Sequence, residues 1–310
     1  MDLKQLEYFV HVAELGSFTR AAIALDVAQP ALSRQIRLLE VELRQNLLTR
    51  NGRGAVPTEA GKLLLEHGRG ILHQVAVARE ELGAARGARA GRVSIGLPPS
   101  LARLITVPLT RAFRDKLPHA QLTLSEGFSI VMVDALRMGN LDMALLYNPE
   151  RSPEMEQTTL HEEELVLISQ RSMLPGALAA PKAGKARTAV ALKDVAALPL
   201  ILPSRPNAFR LLLETETMRI GCQLRIAMEV DGLNGILSLV REGFGHAVLP
   251  AYTLANFDHA DTLVVRKLHS PRPISQLTLV RSTRRPATET QKVARALLQE
   301  VVLGAVAPYA

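Results

Sequence analysis

Apolar residues fall at helical spacing through the N-terminal part of the chain and in short strand-like runs after it. From Gln29 to Leu43, QPALSRQIRLLEVEL, the residues Leu32, Ile36, Leu39 and Leu43 stand at i, i+4, i+7 and i+11, on one stripe of an α-helix. Such a stripe faces a core. Beside it Gln29, Ser33, Arg37 and Arg44, with Arg34 next to them, all carry hydrogen-bond donors. A polar face of this kind is commonly just solvated, so its flanks decide how it is read. Residues 3 to 15 are expected as a helix with Leu6, Phe9, Val10 and Ala13 inward; Gly16 stops it, and Ser17 caps a shorter helix carrying Phe18, Ala21, Ala22 and Leu25. Two helices joined by about three or four residues, the second with a donor-rich outer face, form the helix-turn-helix pattern. Pro30 suits the first turn of that second helix, whereas Ala28 leaves its start without a side-chain cap.

Past the helix pair, LLTRNGRGAVPT reads as a two-stranded hairpin whose Gly-rich tip carries Arg50 and Arg53, a basic wing suited to holding phosphates. Thr58 then caps a long helix to roughly Gly87, on the order of 45 Å at the standard rise. Along it Leu64, Gly68, Ile71, Val75, Ala78, Leu82 and Ala85 alternate steps of four and three, the seam of a coiled coil weakened at Gly68. Leu64, Ile71, Val75 and Leu82 are the expected dimer contacts; the alternative is a helix packed on its own domain.

After the short hinge ARAG (88–91) the pattern changes. Strand-like runs (RVSIGL, QLTLSEG, MALLYN, ELVLISQ, LPLILP, LRIAMEV, HAVLP, SQLTLVR) alternate with helical stretches near 101–115, 130–138, 207–219, 233–242 and 288–303. This alternation predicts an α/β fold with mainly parallel sheets. Met173 to Ala191, rich in Ala, Pro, Gly and Lys, is expected as a loop. Ser100, after the first strand, and Ser204, after LPLILP, are each placed to cap a helix and to hold a small anion, with simple capping as the alternative; Ser129 and Tyr147 also follow strands.

The stretch ELGSFTRAAIALDVAQPALSRQIRLLEVELRQNLLTRNGRGAVPTEAGK closely resembles the DNA-binding region of the LysR-type transcriptional regulators. Ala28 departs from the Ser that is common there. Within that family AQPALS, VSIGLPPS, LDMALLYN and LPS are most similar to the nitrogen-assimilation-control type. The resemblance implies a winged helix-turn-helix over 1–58, a linker helix and hinge over 59–91, and a two-subdomain α/β domain of periplasmic-binding-protein type over 92–310. Subdomain I would comprise 92–168 and 268–310, and subdomain II 169–267. It implies DNA contacts from Arg20, Gln29, Pro30, Ser33, Arg34, Arg37, Arg50 and Arg53, and effector contacts from Ser100, Ser129, Tyr147, Pro203 and Ser204. The expected partners are double-stranded DNA, a second copy of the chain (a homodimer, with tetramers usual in the family), a small anionic co-inducer and, as a further contact, RNA polymerase.

Composition adds limits. The formal charge is +7, yet residues 1 to 92 hold 13 Lys and Arg against 10 Asp and Glu, so charge placement must carry any nucleic-acid argument. Cys222 is the single cysteine, which excludes an internal disulfide and a thiolate metal cluster; it is expected as a small core residue. No HxxxH, HxH or GxSxG spacing occurs, so neither a metal, a cofactor nor an enzyme is expected. Glu162, Glu163 and Glu164 read as a solvated face, and the segment from Arg266 to Arg285, six Lys and Arg with no acid, as a basic surface that touches DNA or a polymerase subunit if it touches anything. No membrane span and no leader pattern is found, and a cytoplasmic location is expected. Two other readings compete: a solute-binding protein or enzyme whose N-terminal helices serve only assembly, and a nucleoid or replication-origin binder without an effector.

Overall fold

The structure, a computed structural model, describes residues 1–51, 54–84, 91–173, 189–284 and 286–309. It divides into two compact units, Met1–Arg89 with the short Arg285–Thr288 segment, and Ala90–Arg284 with Glu289–Ala310.

In the first unit α1 (Leu3–Leu15), α2 (Phe18–Ala24) and α3 (Gln29–Leu43) precede a hairpin, β1 (Leu48–Asn51) and β2 (Gly54–Pro57), and the long α4 (Glu59–Ala84). Asp2 and Gln5 cap α1 reciprocally, Gly16 ends it in the left-handed region, and Ser17 accepts from the Arg20 amide to start α2. The core holds Phe9 and Val12 of α1, Ala21 and Ala22 of α2, and Leu32, Ile36 and Leu39 of α3. Each fully buried Leu or Ile contributes roughly 1.5–3 kcal/mol through removal of apolar surface from water. Glu40 reaches past the end of α3 and accepts the amides of Leu47 and Leu48 at 2.9 and 3.3 Å, which ties the helix to the hairpin.

No side chain caps α3: Ala28 occupies the N-cap with extended backbone. Ala28→Ser is therefore expected to stabilise this unit by about 1 kcal/mol, read as a rise in its denaturant midpoint at unchanged slope; an unchanged midpoint would mean that water already satisfies the open amides. The helix stops at Leu43, and Arg44 is its left-handed C-cap with φ of 53°. Arg44 thus leaves the helical face on which sequence spacing placed it.

Gly68 does not sit in an open seam. A Cβ there would stand 3.0 Å from Leu6 and 3.1 Å from Val10, so α1 crosses α4 at this glycine. Arg69 pairs with Glu14 of α1 at 2.7 Å beside it, and Leu64 packs on the unit's own core. The first half of the stripe is therefore covered within the chain. Beyond it Ile71 is 38% and Leu82 72% exposed.

The second unit begins with β3 (Arg92–Leu97), α5 (Pro99–Lys116), β4 (Gln121–Glu126), α6 (Ser129–Met138) and β5 (Met143–Tyr147). β6 (Met155–Gln170), β7 (Val190–Ala191), α7 (Leu192–Ala196), β8 (Leu200–Leu202), α8 (Ala208–Arg219), β9 (Ile226–Glu229) and α9 (Leu233–Arg241) follow. β10 (Ala247–Pro250), a 3-10 turn (Ala251–Leu254), β11 (Leu263–His269), β12 (Ile274–Ser282) and α10 (Glu289–Val306) complete it. β3 lies parallel to β4 and β5, and β8 to β9, each pair joined through a helix. The expectation of mainly parallel sheets needs correcting around β6, which pairs antiparallel with β12 along 155–164 and with β10 and β11 along 165–170. β11 and β12 succeed one another along β6 with only a four-residue link, too short for the crossover that a parallel return requires. β6 thus runs from one half of the unit to the other and β11–β12 runs back: two crossings, with a lobe on each side.

The acidic triplet is not uniformly solvated, because strand alternation turns Glu163 inward, where it is 5% exposed. Nor is the Arg266–Arg285 segment a free basic surface. Lys267 and Arg272 pair with Glu164, Arg281 with Glu156 and Arg284 with Glu154, while Arg266 is buried in β11; Arg285 lies outside the described residues. Cys222 is half-buried after α8 rather than in the core. The hinge at 88–90 and most of the expected loop, 174–188, lie outside the described residues.

Candidate functional site

Two sites follow from this architecture, one in each unit. In the first, burial of Leu32, Ile36 and Leu39 leaves Gln29, Pro30, Arg34 and Arg37 exposed on the outer face of α3, with Ser33 half-buried between them. Arg37 is held only by Glu40, at 3.7 Å and with 68% of its side chain exposed, an ion pair too wet to restrain it strongly. Arg34 is exposed without an ion-pair partner among the described residues. Arg20, at the start of α2, donates through its guanidinium to the Leu15 carbonyl at the end of α1. It is exposed there, positioned against the helix pair rather than free. Arg50 is described only by its backbone in β1, and Arg53 lies outside the described residues. Four donor side chains on one helix face, Gln29, Ser33, Arg34 and Arg37, set by a buried stripe behind them, can engage base edges and flanking phosphates.

The second site is a cleft between the lobes of the C-terminal unit, with about 50 Å³ of free volume. Pro98, Pro99 and Ser100 at the start of α5, Phe128 and Ser129 at the start of α6, and Tyr147 at the end of β5 line one side. Pro203, Asn207, Phe209, Asp231, Leu233, Ile236 and Leu249 line the other. Four of the five effector residues expected from sequence, Ser100, Ser129, Tyr147 and Pro203, meet here. Ser204 is adjacent: its amide and hydroxyl both donate to Asp231, and these bonds hold that carboxyl below the usual range. Neither serine caps a helix. α5 starts one residue before Ser100 with Pro98 as N-cap, and Asn207, not Ser204, caps α8, accepting from the amides of Phe209 and Arg210 at 3.0 and 3.3 Å. Asn207 directly before an apolar run was a capping signal available in the sequence.

Ser100 is instead buried in the first turn of α5 and accepts from the Tyr252 hydroxyl at 3.4 Å. Tyr252, in the turn after β10, also shares a hydrogen bond with the Tyr147 hydroxyl, and the Tyr147 ring packs at a tilt against Phe209 of α8, with centroids 4.5 Å apart. Both phenols are pushed well above their ordinary pKa, first by burial. Arg210, 4% exposed, fixes the far wall: it donates to the Pro203 carbonyl at 3.3 Å and pairs with Glu214 and Glu229. No cationic side chain lines the cleft among the described residues. What the cleft offers an anion is hydroxyls and the N-terminal turns of α5 and α6. Phe209 and Asp231 join the cleft, and Tyr252 stands behind it against Tyr147 and Ser100, only through tertiary packing, which no local pattern in the sequence reports.

A helix-turn-helix unit with an exposed donor face, joined in one chain to a two-lobed α/β unit with an interlobe cleft, is the architecture of a DNA-binding transcriptional regulator. Residues 3–62 match the bacterial regulatory helix-turn-helix protein, lysR family, and residues 86–303 the LysR substrate binding domain. The chain belongs to the LysR family of transcriptional regulators. It is 34% identical over 306 residues to the nitrogen assimilation regulatory protein nac of Klebsiella aerogenes, covering 97% of this chain and 95% of that protein. Its fold is similar to a full-length OxyR variant of Pseudomonas aeruginosa, with a TM-score of 0.76 at 22% identity over 98% of this chain and 95% of the other. It is also similar to full-length CbnR in complex with its target DNA, with a TM-score of 0.65 at 25% identity over 97% of this chain and 100% of the other. The relatives are named as regulators, not enzymes, and no helix among the described residues is long and apolar enough to cross a membrane.

Proposed function

We propose that this regulator binds operator DNA as a homo-oligomer through α3, and that a small anionic co-inducer in the interlobe cleft shifts the arrangement of its DNA-binding pairs. The observation that carries the DNA reading is the division of α3 into a buried Leu32–Ile36–Leu39 stripe and an exposed Gln29–Arg34–Arg37 face. Gln29, Ser33, Arg34 and Arg37 read base edges or flanking phosphates; Pro30 and Arg20 set the approach, and the wing arginines Arg50 and Arg53 hold backbone. CbnR, a protein of similar fold, has been captured on its target DNA. For the co-inducer, the support is a cleft where two helix starts and the hydroxyls of Ser100, Ser129 and Tyr147 converge on apolar walls.

The test is a footprint on DNA upstream of the gene and of its divergent neighbour at low salt, repeated with a panel of small carboxylates. A footprint that shortens with one compound is expected. Absence of any protection at low salt would sink the DNA reading, and a footprint indifferent to every anion the co-inducer reading.

Self-association is assigned to the distal half of α4. There Ile71, Val75 and Leu82 continue the apolar stripe past the part that α1 covers, and Ile71 and Leu82 are open to a partner helix. Replacing both Ile71 and Leu82 with Glu is expected to weaken self-association at least tenfold in sedimentation, with DNA affinity falling in parallel. Unchanged oligomer mass would remove α4 from the interface.

A further inference from the structure

Beneath the cleft lies a buried carboxyl group with no ion-pair partner among the described residues. Glu163 stands on β6 opposite Ser275 of β12, two residues before Leu165, where β6 changes partner and crosses between the lobes. The side chain is 5% exposed, and among the described residues neither carboxyl oxygen has a well-formed hydrogen bond, although the Tyr147 and Tyr252 hydroxyls stand near enough to pull its pKa down. Strand alternation puts Ser275 and Leu277 on one sheet face, and Leu277 is opposite Tyr147, so Glu163 shares the face on which Tyr147 stands. The titratable groups that act on it are Tyr147 from β5 and Tyr252 from the turn after β10. On its own strand Glu164 turns away to Lys267 and Arg272, Glu162 accepts from Gln276, and His161 is half-buried. Ser100 and Ser275, from α5 and β12, carry no charge.

The hydroxyl protons can be counted. With Tyr252 donating to Ser100, the hydrogen shared between the two phenols is supplied by Tyr147. Both phenol protons are then spent, and an ionised Glu163 would face only lone pairs in a buried site, which is strongly unfavourable. Burial accordingly raises the Glu163 carboxyl to about 8, against a smaller downward pull from the two phenols. In this state Ser100 accepts from Tyr252, and its own hydrogen is free for an acceptor in the cleft.

We propose that Glu163 is a proton-linked positioning residue that sets the direction of the Tyr147–Tyr252–Ser100 hydroxyl chain, and through it whether the cleft accepts an anion. Neutral Glu163 leaves the chain running towards Ser100, whose O–H is presented to the cleft. When Glu163 releases its proton to solvent, the hydroxyls rotate: the phenols donate to the carboxylate, Ser100 donates to Tyr252, and a lone pair faces the cleft instead. No covalent bond changes apart from the loss of that one proton. The consequence for anions rests on the cleft reading given above.

The experiment uses the full chain without ligand first. Tyrosine near-ultraviolet absorbance and thermal midpoint are followed from about pH 5 to about pH 9, in the wild type, Glu163→Gln and Tyr147→Phe. The wild type is expected to show a one-proton tyrosine transition near pH 8 that Glu163→Gln lacks. In Tyr147→Phe, which removes a group that lowers the Glu163 pKa, the transition should move upward, a shift that a merely structural glutamate would not produce. A wild-type transition that persists in Glu163→Gln overturns the proposal; should that variant fail to fold, an unmoved transition in Tyr147→Phe does the same. A panel of acetate, benzoate and dicarboxylates then separates the two readings. If none raises the midpoint at either pH the anion reading falls, whereas the titration by itself still decides the role of Glu163 in directing the chain. Any compound that raises it should do so more at about pH 6 than at about pH 9 in the wild type and equally at both in Glu163→Gln; an equal rise in the wild type overturns the coupling.

Discussion

Gly61→Ala is expected to destabilise the N-terminal unit by on the order of 3 kcal/mol or more and to abolish DNA retardation, while unfolding of the C-terminal unit is unchanged. The first turn of α4 is held against the end of α3 at this residue. The Leu47 carbonyl accepts the Thr58 amide at 3.0 Å, and the Gly61 amide donates to the Thr58 hydroxyl at 3.0 Å. A methyl group on Gly61 would stand 2.0 Å from the Leu47 carbonyl oxygen, well inside any permitted contact and against backbone rather than a yielding side chain. Relief requires α4 to back away, which breaks the Thr58 bonds and pulls the Glu40 anchor from Leu47 and Leu48. Two unfolding transitions of which only one moves, with DNA binding lost alongside it, is the predicted record. Wild-type melting and an intact footprint in this variant would show that the close approach is absent in solution.

Gly61 also marks where sequence reasoning stops. Its neighbours announced a helix start, since Thr58 is a cap, but nothing in the local pattern says that a carbonyl fourteen positions earlier presses on it. The same contrast holds elsewhere. Helical periodicity located α3 and three of the four residues of its core stripe, Leu32, Ile36 and Leu39, with Leu43 half-buried, because period and burial are two views of one constraint. Spacing along α4 makes Gly68 a flaw in a seam, because it cannot report that α1 crosses there. Arg44 kept a helical spacing that the left-handed cap then removed from the face.

In the C-terminal unit, strand ends were legible, and with them Ser100, Ser129, Tyr147 and Pro203, since the ends of parallel strands converge on a cleft wherever β-α units are wound. β11 and the first half of β6 went unread. Their mixture of charged and apolar residues reflects a face where Lys267, Arg272 and Arg281 meet Glu164 and Glu156 across strands, so the alternation is one of ion pairs as much as of burial. Glu163 was lost in the same way: three consecutive glutamates look alike in sequence, and only the pleat singles out the middle one.

Arg34→Ala and Arg37→Ala, singly, are each expected to weaken binding to the cognate operator by about 1–3 kcal/mol, roughly 5- to 150-fold, with the thermal midpoint unchanged. Stability is spared because neither side chain supports the core. Arg34 is exposed without an ion-pair partner among the described residues, and the Arg37–Glu40 pair, at 3.7 Å with Arg37 68% exposed, contributes at most a few tenths of a kcal/mol. Loss of Arg37 leaves Glu40 bonded to the Leu47 and Leu48 amides, so the hairpin stays in register. Base readout and phosphate contact then separate by two measurements. An arginine forked onto a guanine loses affinity chiefly for the operator and relaxes preference at one base pair, and Lys does not restore it, since a point charge cannot match two acceptors. A phosphate contact loses affinity on all sequences alike, lowers the dependence of log K on log salt by about 0.9, and is largely recovered by Lys. Because α3 is amphipathic with its buried side fully used, wild-type operator affinity in the Arg34→Ala, Arg37→Ala double variant would leave no face of this helix able to read DNA.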